Sequence, residues 1–543
     1  MLNTEMVKRN TEKDNTPEGI LPYLCPCRIF TLITNQTNST MKKFIYATLA
    51  VAAVLLFASC KNDKNQPKNE KADAYISFTF SLPQGGTRAE AGSVAGANAG
   101  DTFIGTADEQ AIKEVRVVLY DPNEGIVKYA LTYHISATGG QAPTGDIAAN
   151  PVSAATAANF TTKAEQVESQ DYQMLAIINP TADVIAATAE GKYLKDAQAA
   201  LESTVKDLSA DGKAILMSND RGLVKVAPAN LKDTAKDAEQ NPVKVNVDRI
   251  LAKVYVGGTP DLPQGVTFTG TKWELNTTNK KTFIYRQFAQ VLTAPDAFAP
   301  ETVDNNTDRY ARYAKDPNYL AGEFVAADFN YKQDVDALAN EWGFENEKGQ
   351  YCLENTMDAG QQLNNQTTSF ILSGTWTPEG FTTGETWYRY MGFDFTVAKM
   401  KEYIGIAKDA SKDAEKDITG TPAGFKADLK ALLAESDCPV AADGTITKSF
   451  AAHNIKGYLK GVCYYQTNLI RHFNNDQSSK NMGYGRYGVV RNNIYKVTIK
   501  KISQPGEPTI VPEKPNPDDP TKLFVAFDIT INPWIVRTQE ISL

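Results

Sequence analysis

Few residues in this sequence have the types and spacing needed for chemistry, and those few point to covalent processing of the chain. Cys60 ends the run Phe57-Ala58-Ser59-Cys60, which matches a bacterial lipobox, whose cysteine is acylated and becomes the new N-terminus. A plain signal peptide with an incidental cysteine is the alternative. Arg88-Ala89 ends a stretch rich in turn formers, Gln84–Ala89. A trypsin-like protease could cut this exposed bond.

The sequence offers little to an enzyme. It contains no Gly-x-Ser-x-Gly elbow, no phosphate-binding glycine loop and no His-Glu-x-x-His motif. A multi-histidine metal site is not expected, because the only histidines are His134, His453 and His472. No disulfide framework is indicated, although one bridge stays open, among the remaining exported cysteines, Cys352, Cys438 and Cys463. No cofactor is expected.

The composition indicates an acidic globular protein. The chain has 543 residues, which suggests two or three domains, and 42% of them are apolar, enough for folded cores. With 56 Lys and Arg against 64 Asp and Glu, the formal charge is −8. This acidity, without a long basic stretch, argues against a nucleic-acid-binding protein.

A lipoprotein signal peptide is predicted at residues 41–59. The basic Met41-Lys42-Lys43 precedes an apolar run that is shorter than the ~20 residues a membrane span needs. Residues 1–40 precede this complete signal and are interpreted as an upstream mis-start, with translation beginning at Met41. Residues 60–73 are polar and would form a lipid-attached tether.

The body of the chain is predicted to be mainly strands. Ile76, Phe78, Phe80 and Leu82 alternate with polar residues, the period-two pattern of a half-buried strand. Further strands are predicted at 115–120, 174–178, 215–218, 243–247, 250–256, 271–275, 282–288, 368–372, 387–390, 461–467 and 493–502. Amphipathic helices are predicted at 194–208, 397–407 and 425–432. Turn signals near 257–265 separate an N-terminal domain, 74–257, from a C-terminal domain, 258–503.

Two features mark the C-terminal end. Six prolines fall within residues 504–520, so this linker is expected to be a stiff spacer reaching on the order of 50 Å. In the segment that follows, 521–543, apolar residues alternate along one face of a strand. They are Leu523, Val525, Phe527, Ile529 and Ile531, and Trp534 resumes an apolar run. A terminal segment this apolar must be buried somewhere.

The first and last strands share one pattern, which suggests that one can replace the other. Cleavage at Arg88 would remove the first strand, residues 74–88, and expose an unpaired edge with an apolar groove. The last strand of an identical subunit could fill that groove by β-strand addition. Repeated head to tail, this contact does not close and gives a filament. In the alternative, the last strand completes its own subunit.

Several stretches together carry a family resemblance. Beside the lipobox and Arg88-Ala89, they are Ser81–Gln84, Ile215–Ser218, Val247–Val254, Arg491–Val497, the proline-rich linker and Asp528–Trp534. With these stretches the chain resembles the Bacteroidales fimbrillins, most closely the major shaft subunits of Porphyromonas-type short (minor) fimbriae. Insertions at 300–365 and 396–440 depart from the family's pattern.

The resemblance implies a mainly β fold of two transthyretin-like β-sandwich domains with helical insertions and a C-terminal donor strand. It implies a precursor acylated at Cys60, anchored to the outer membrane and cut between Arg88 and Ala89 by a trypsin-like protease. Polymerisation by donor-strand exchange would use Leu523–Ile531 with Trp534. Implied partners are identical subunits, minor tip and anchor subunits, and a host or bacterial surface ligand. The product would be a fimbrium that supports adhesion.

Two other functions stay open. A glycan-binding surface lipoprotein could stack sugars on aromatic residues, for which the candidates are Trp376, Trp387, Tyr388 and Tyr390. At alternating strand positions such residues are more often core, and this kind of binder has no need of an apolar strand after a proline spacer. The other is a fimbrial tip or anchor adhesin. The C-terminal segment favours a shaft over a tip subunit, and the cleavable Arg88 loop favours a shaft over an anchor.

Overall fold

The computed structural model describes residues 72–82, 105–138, 142–149, 155–156, 159–199, 201–209, 213–220, 222–287, 315–319, 324–332, 338–357, 361–413, 418–470, 488–516 and 525–533. For the last of these ranges it describes the backbone. None of the helices in these ranges is long and apolar enough to cross a membrane.

The N-terminal part is built on one large sheet. Its strands are β1 (Ala74–Ile76), β2 (Phe78–Ser81), β3 (Val115–Tyr120), β4 (Val127–Tyr133), β5 (Ile135–Ser136), β6 (Thr144–Gly145), β7 (Asn159–Thr161), β8 (Glu165–Val167), β9 (Tyr172–Ile178), β10 (Leu201–Glu202), β11 (Met217–Asn219), β12 (Val224–Val226) and β13 (Val243–Arg249). Eight of them form a sheet in the order β4-β3-β9-β11-β13-β2-β7, with β12 paired to β9. β3 lies inside this sheet and is buried along its whole length, which explains its nearly continuous apolar sequence.

The C-terminal part contains several smaller sheets. Its strands are β14 (Leu251–Gly257), β15 (Thr267–Asn276), β16 (Thr278–Asn279), β17 (Lys281–Thr282), β18 (Phe329–Asn330), β19 (Asn340–Glu341), β20 (Gln350–Leu353), β21 (Asn355–Thr356), β22 (Ser369–Thr377), β23 (Trp387–Tyr390), β24 (Phe393–Thr396), β25 (Phe450–Ala452), β26 (Ile455–Tyr458), β27 (Val462–Leu469), β28 (Gly488–Val489), β29 (Asn493–Ile502) and β30 (Val525–Pro533). The four-stranded sheets run β20-β14-β29-β30, β19-β15-β22-β27 and β24-β23-β26-β25. The first two share one core, to which Val254 of β14, Trp273 of β15 and Val497 of β29 contribute.

Short helices lie between the strands. They are α1 (Ala182–Ala187), α2 (Leu194–Ala197), α3 (Val205–Ser209), α4 (Ala235–Gln240), α5 (Val397–Lys408) and α6 (Phe425–Leu433). The threonine before α1, α4 and α5 accepts a hydrogen bond from a backbone N–H of the first turn, as expected for an N-cap. α5 and α6 pack on the β23–β26 sheet around a separate core that includes Tyr388, Phe395 and Phe425.

A further apolar cluster joins the two parts of the chain. It takes Val118 and Ile177 from the large sheet, Leu251 and Ile494 from the β14–β29 pair, and Ile284 from the segment after β17. All five are fully or almost fully buried. The N-terminal sheet and the C-terminal sheets therefore share buried surface rather than meeting only at the chain crossing.

Two predicted elements are wrong. The helix expected at 194–208 is two short helices, α2 and α3, separated by β10, which pairs with Lys281–Thr282 of β17. The strand expected at 282–288 ends at Thr282, and the buried residues that follow are irregular. In both cases a partner distant in sequence decides the backbone conformation, which local periodicity cannot reveal.

The proline-rich linker also differs from expectation. Residues 504–511 pack along β27 instead of standing away from the molecule, and the Asn516 carbonyl accepts from the Asn364 N–H at 2.9 Å. Glu507 and Tyr464 exchange backbone hydrogen bonds of 2.8 Å, and Gln466 bonds both backbone groups of Val511 at 2.8 and 2.7 Å. The freestanding spacer is therefore wrong for these residues, because the non-proline positions retain polar groups that pair with the strand.

Candidate functional site: the first and last strands

The first strand lies inside a sheet rather than at its edge. β2 runs parallel to β13, with Phe78 opposite Val243, and antiparallel to β7, with Phe80 opposite Phe160. Its backbone is thus hydrogen-bonded on both sides. Removing it would leave β13 and β7 facing each other across an empty strand position, with unpaired N–H and C=O groups on both.

Ser77 lies between β1 and β2, and the backbone remains hydrogen-bonded there although the neighbouring strands change. Before this residue, β1 pairs with β8, and Tyr75 exchanges backbone hydrogen bonds of 2.7 and 2.9 Å with Lys232. The Ser77 hydroxyl donates to the backbone oxygen of Thr162 at 2.7 Å, and the Ser77 carbonyl accepts from the Val243 N–H at 2.8 Å. The whole segment is therefore held along its length.

The apolar side chains of this segment fill the core beneath the large sheet. At most 5% of each is exposed, for Ala74, Ile76, Phe78, Phe80 and Leu82. Phe80 stacks on Phe160 with ring centroids 5.3 Å apart, and Phe78 meets Tyr133 edge-on at 6.4 Å. Since a fully buried large apolar side chain contributes roughly 1.5–3 kcal/mol, loss of the segment would leave an apolar groove in this core.

The last strand lies at the edge of a different sheet of the same chain. β30 runs antiparallel to β29, from Val525 opposite Ile502 to Pro533 opposite Asn493. β14 lies on the other side of β29. β30 therefore covers an edge that would otherwise expose the backbone of a ten-residue strand. This pairing within one subunit is the arrangement named above as the alternative to exchange.

The structure describes only some of the predicted site residues. Five lie outside the described residues: Cys60, Arg88, Ala89, Leu523 and Trp534. Four lie in β30, where the backbone register places Val525, Phe527, Ile529 and Ile531 opposite Ile502, Ile499, Val497 and Tyr495. The two ends of the proposed exchange thus occupy separate sheets, the first strand in the large sheet and the last strand on β29.

The aromatic residues considered for sugar stacking lie in the core. At most 3% of each is exposed, for Trp376, Trp387, Tyr388 and Tyr390. The Trp387 ring stacks on Tyr458 with centroids 4.1 Å apart, and the Tyr388 ring stacks on Phe395 at 5.5 Å. These contacts account for the aromatic residues as packing.

The cysteines are separate thiols. Cys352 and Cys463 are buried and Cys438 is partly buried, and burial raises the pKa of Cys352 and of Cys463 to about 12. Within the described ranges, no group of three or more His, Cys, Asp or Glu residues could hold a metal ion. His472 lies outside those ranges.

A buried ionic cluster, which no sequence pattern above singles out, lies C-terminal to Arg88 in the sequence. Only 1% of the Glu109 side chain and 3% of the Lys253 side chain are exposed, and Lys253 Nζ lies 2.7 Å from Glu109 Oε1. The Tyr351 hydroxyl donates to the same carboxylate oxygen. The signal in the sequence was Thr106-x-x-Glu109, the spacing of a capping box.

The fold and this site define a mainly β structural protein whose candidate site is a pair of strands. Residues 456–540 match the family model described as major fimbrial subunit protein type IV, fimbrillin, C-terminal. This match confirms the predicted resemblance to the fimbrillins. The match supports a structural, non-enzymatic fimbrial subunit at the cell surface. The predicted mainly β class is confirmed, whereas the division into two transthyretin-like domains stays a prediction.

Solved structures similar to this chain include fimbrial proteins. A fimbrilin from Porphyromonas gingivalis W83 is 14% identical, with a TM-score of 0.39, over 86% of this chain and 99% of that one. A fimbrial assembly protein from Parabacteroides distasonis is 9% identical, with a TM-score of 0.30, over 84% and 95%. The tip fimbrial protein Mfa3 from Porphyromonas gingivalis, with a C-terminal truncation, is 10% identical, with a TM-score of 0.28, over 84% and 99%. A comparison with curated protein sequences gives no match.

Proposed function

We propose that this chain is the major shaft subunit of a fimbria and polymerises by donor-strand exchange after cleavage between Arg88 and Ala89. The precursor is exported as a lipoprotein acylated at Cys60 and held at the outer membrane. Cleavage removes the first strand, and the last strand of the next subunit, Leu523–Ile531 with Trp534, takes its place. Tip and anchor subunits would complete the filament, which supports adhesion.

The observation that carries this proposal is the inner position of the first strand. β2 has a hydrogen-bonded neighbour on each side and five buried apolar side chains come from the segment that contains it. Its loss would leave a strand-shaped groove rather than a shortened edge. An incoming strand with the same alternation would restore both the backbone ladder and the apolar contacts.

The present place of the last strand supports exchange on energetic grounds. β30 already has strand conformation, so most of the backbone entropy of ordering it, roughly 1–2 kcal/mol per residue, is lost before exchange. On β29 it is paired along one side, whereas the position of β2 offers partners on both sides. At ~0.5–1.5 kcal/mol per hydrogen bond, the backbone terms nearly balance, because β30 pairs nine residues with β29 whereas β2 pairs four with β13 and three with β7. Burial of the apolar face in the vacated groove would then favour transfer.

Deletion of residues 523–543 tests the donor assignment. The truncated protein should stay folded and secreted but give no ladder of multimers on mildly denaturing gels. A matched pair within the strand is Phe527→Lys, on the apolar face, and Asp528→Lys, on the polar face. Only the first should abolish the ladder. Polymerisation of the truncated protein would show that the donor lies elsewhere.

Hydrogen exchange separates strand exchange from any other route to a filament. On polymerisation the outward amides of β29 should exchange faster, because β30 has left them, while β13 and β7 stay protected. Arg88→Ala should hold the protein as a lipidated monomer with β29 protected. Filaments in which β29 stays protected, or polymer at wild-type abundance from Arg88→Ala, would contradict the mechanism.

A further inference from the structure

The chain that follows Arg88 makes hydrogen bonds and a buried ion pair close to its first described residues. Glu109 Oε2 accepts from the Thr106 N–H at 2.7 Å, and the Thr106 hydroxyl accepts from the Glu109 N–H at 3.2 Å. The Glu109 side chain then reaches Lys253 of β14 and Tyr351 of β20. One turn of chain is thus closed on itself and attached to the C-terminal sheet.

The next residues are held by the large sheet. Asn179, at the end of β9, accepts from the Lys113 N–H at 2.8 Å and donates to the Ala111 carbonyl at 2.8 Å. Ile112 exchanges backbone hydrogen bonds of 2.8 and 3.1 Å with Ala137. The backbone on the N-terminal side of Lys113 is therefore paired, although the Lys113 side chain is exposed.

The positions of basic residues make this attachment relevant to cleavage. Between Lys71 and Lys113 the sequence contains one basic residue, Arg88. The next bond open to a trypsin-like protease after Arg88 therefore follows Lys113, two residues before β3 begins at Val115. A cut there would detach the chain just before an inner strand of the large sheet, between β4 and β9.

We propose that the buried Glu109–Lys253 pair contributes to the specificity of maturation, because it keeps the Lys113 bond closed to the trypsin-like protease that cleaves at Arg88. The inference rests on the proposed maturation at Arg88. It adds Glu109 as a residue that influences which bond is cleaved without contacting the scissile bond.

The physical reason is the free energy of local opening. A protease acts on a bond only when the residues around it leave the fold, and the cleavage rate follows the population of that open form. Opening residues 105–114 requires the Glu109 carboxylate to leave Lys253, whose side chain is 3% exposed in the folded protein. Removing one partner of a buried ion pair is strongly unfavourable because the other charge is left uncompensated.

The test is trypsin digestion of the purified full chain, with the new N-termini identified by mass spectrometry. Wild-type protein should give the new N-terminus Ala89 but not Glu114. Glu109→Gln, which keeps the shape but not the charge, should cleave after Lys113 on the order of 100-fold faster, as expected for the loss of about 3 kcal/mol of protection. The matched control is Asp108→Asn, which removes a neighbouring charge that is 63% exposed and should leave Lys113 protected.

Two further measurements distinguish local opening at Lys113 from unfolding of the whole sheet and from failure of the maturation scheme. Lys244 is exposed on the inner strand β13, so cleavage there reports unfolding of the whole sheet. If cleavage at Lys113 and Lys244 rises in parallel in Glu109→Gln, or if Lys113 stays protected, the proposal is overturned. In an Arg88→Ala background, Lys113 should still depend on Glu109, which separates failure of this inference from failure of the maturation scheme.

Discussion

Substitution of Phe80 should affect the precursor and leave the mature filament unchanged. The Phe80 side chain is fully buried and stacks on Phe160 at 5.3 Å. Phe80→Ala removes the phenyl ring from a packed core, which lowers the free energy of unfolding by about 3–5 kcal/mol. If cleavage at Arg88 removes the first strand, mature protein no longer contains Phe80, and the substitution has nothing left to destabilise.

The assay is urea denaturation of two forms of each variant, an uncleaved precursor carrying Arg88→Ala and a trypsin-matured polymer. The matched control is Phe160→Ala, on β7, the other ring of the same stack, which remains in both forms. Phe160→Ala should destabilise precursor and polymer alike, and Phe80→Ala only the precursor. Equal destabilisation of both forms by Phe80→Ala would refute the removal of the first strand.

Two predictions concern groups away from the exchange site. Because burial raises the pKa of Cys352 and Cys463 to about 12, iodoacetamide at pH 8 should label Cys438 first, and equal labelling of all three in folded protein would contradict the packing. Burial also raises the pKa of Asp394 to about 6, although Arg389 Nε lies 3.4 Å away. The folded state therefore keeps the Asp394 carboxyl protonated at pH values above 3.8, where the unfolded state loses this proton. The free energy of unfolding consequently decreases as the pH rises from about 4 to 6. Asp394→Asn should be more stable than wild type in urea at pH 7 but not at pH 4, and a pH-independent difference would argue against it.

Local patterns of apolar residues located some of the strands and missed others, among them β4, β20 and β24. The segment containing β2, the buried β3 and the long β29 lie close to their predicted positions because each presents a continuous local pattern to one or both faces of a sheet. Helices α5 and α6 follow from the same kind of periodicity. The pattern failed at α2, β10 and α3, where a pairing with β17 replaces one helix by three short elements.

The candidate site was predicted only in part. The matching patterns of the two terminal strands were visible in the sequence, as was Arg88 between them. The sequence did not indicate that β30 lies on β29, nor that the linker packs along β27. Both depend on hydrogen bonds between segments whose partners are chosen by the packed fold, and a strand pattern specifies a face but not a neighbour.

By itself, the sequence determined the residue types on which the proposed function depends: the predicted lipobox cysteine, one basic residue between Lys71 and Lys113, and two terminal strands of the same pattern. Tertiary structure decided where the described segments lie and which neighbours they have. It placed β2 inside a sheet, between strands that follow it by many residues, and brought Glu109 to Lys253, 144 positions away. The reason is that burial and backbone pairing depend on which distant segments meet, and no local pattern carries that information.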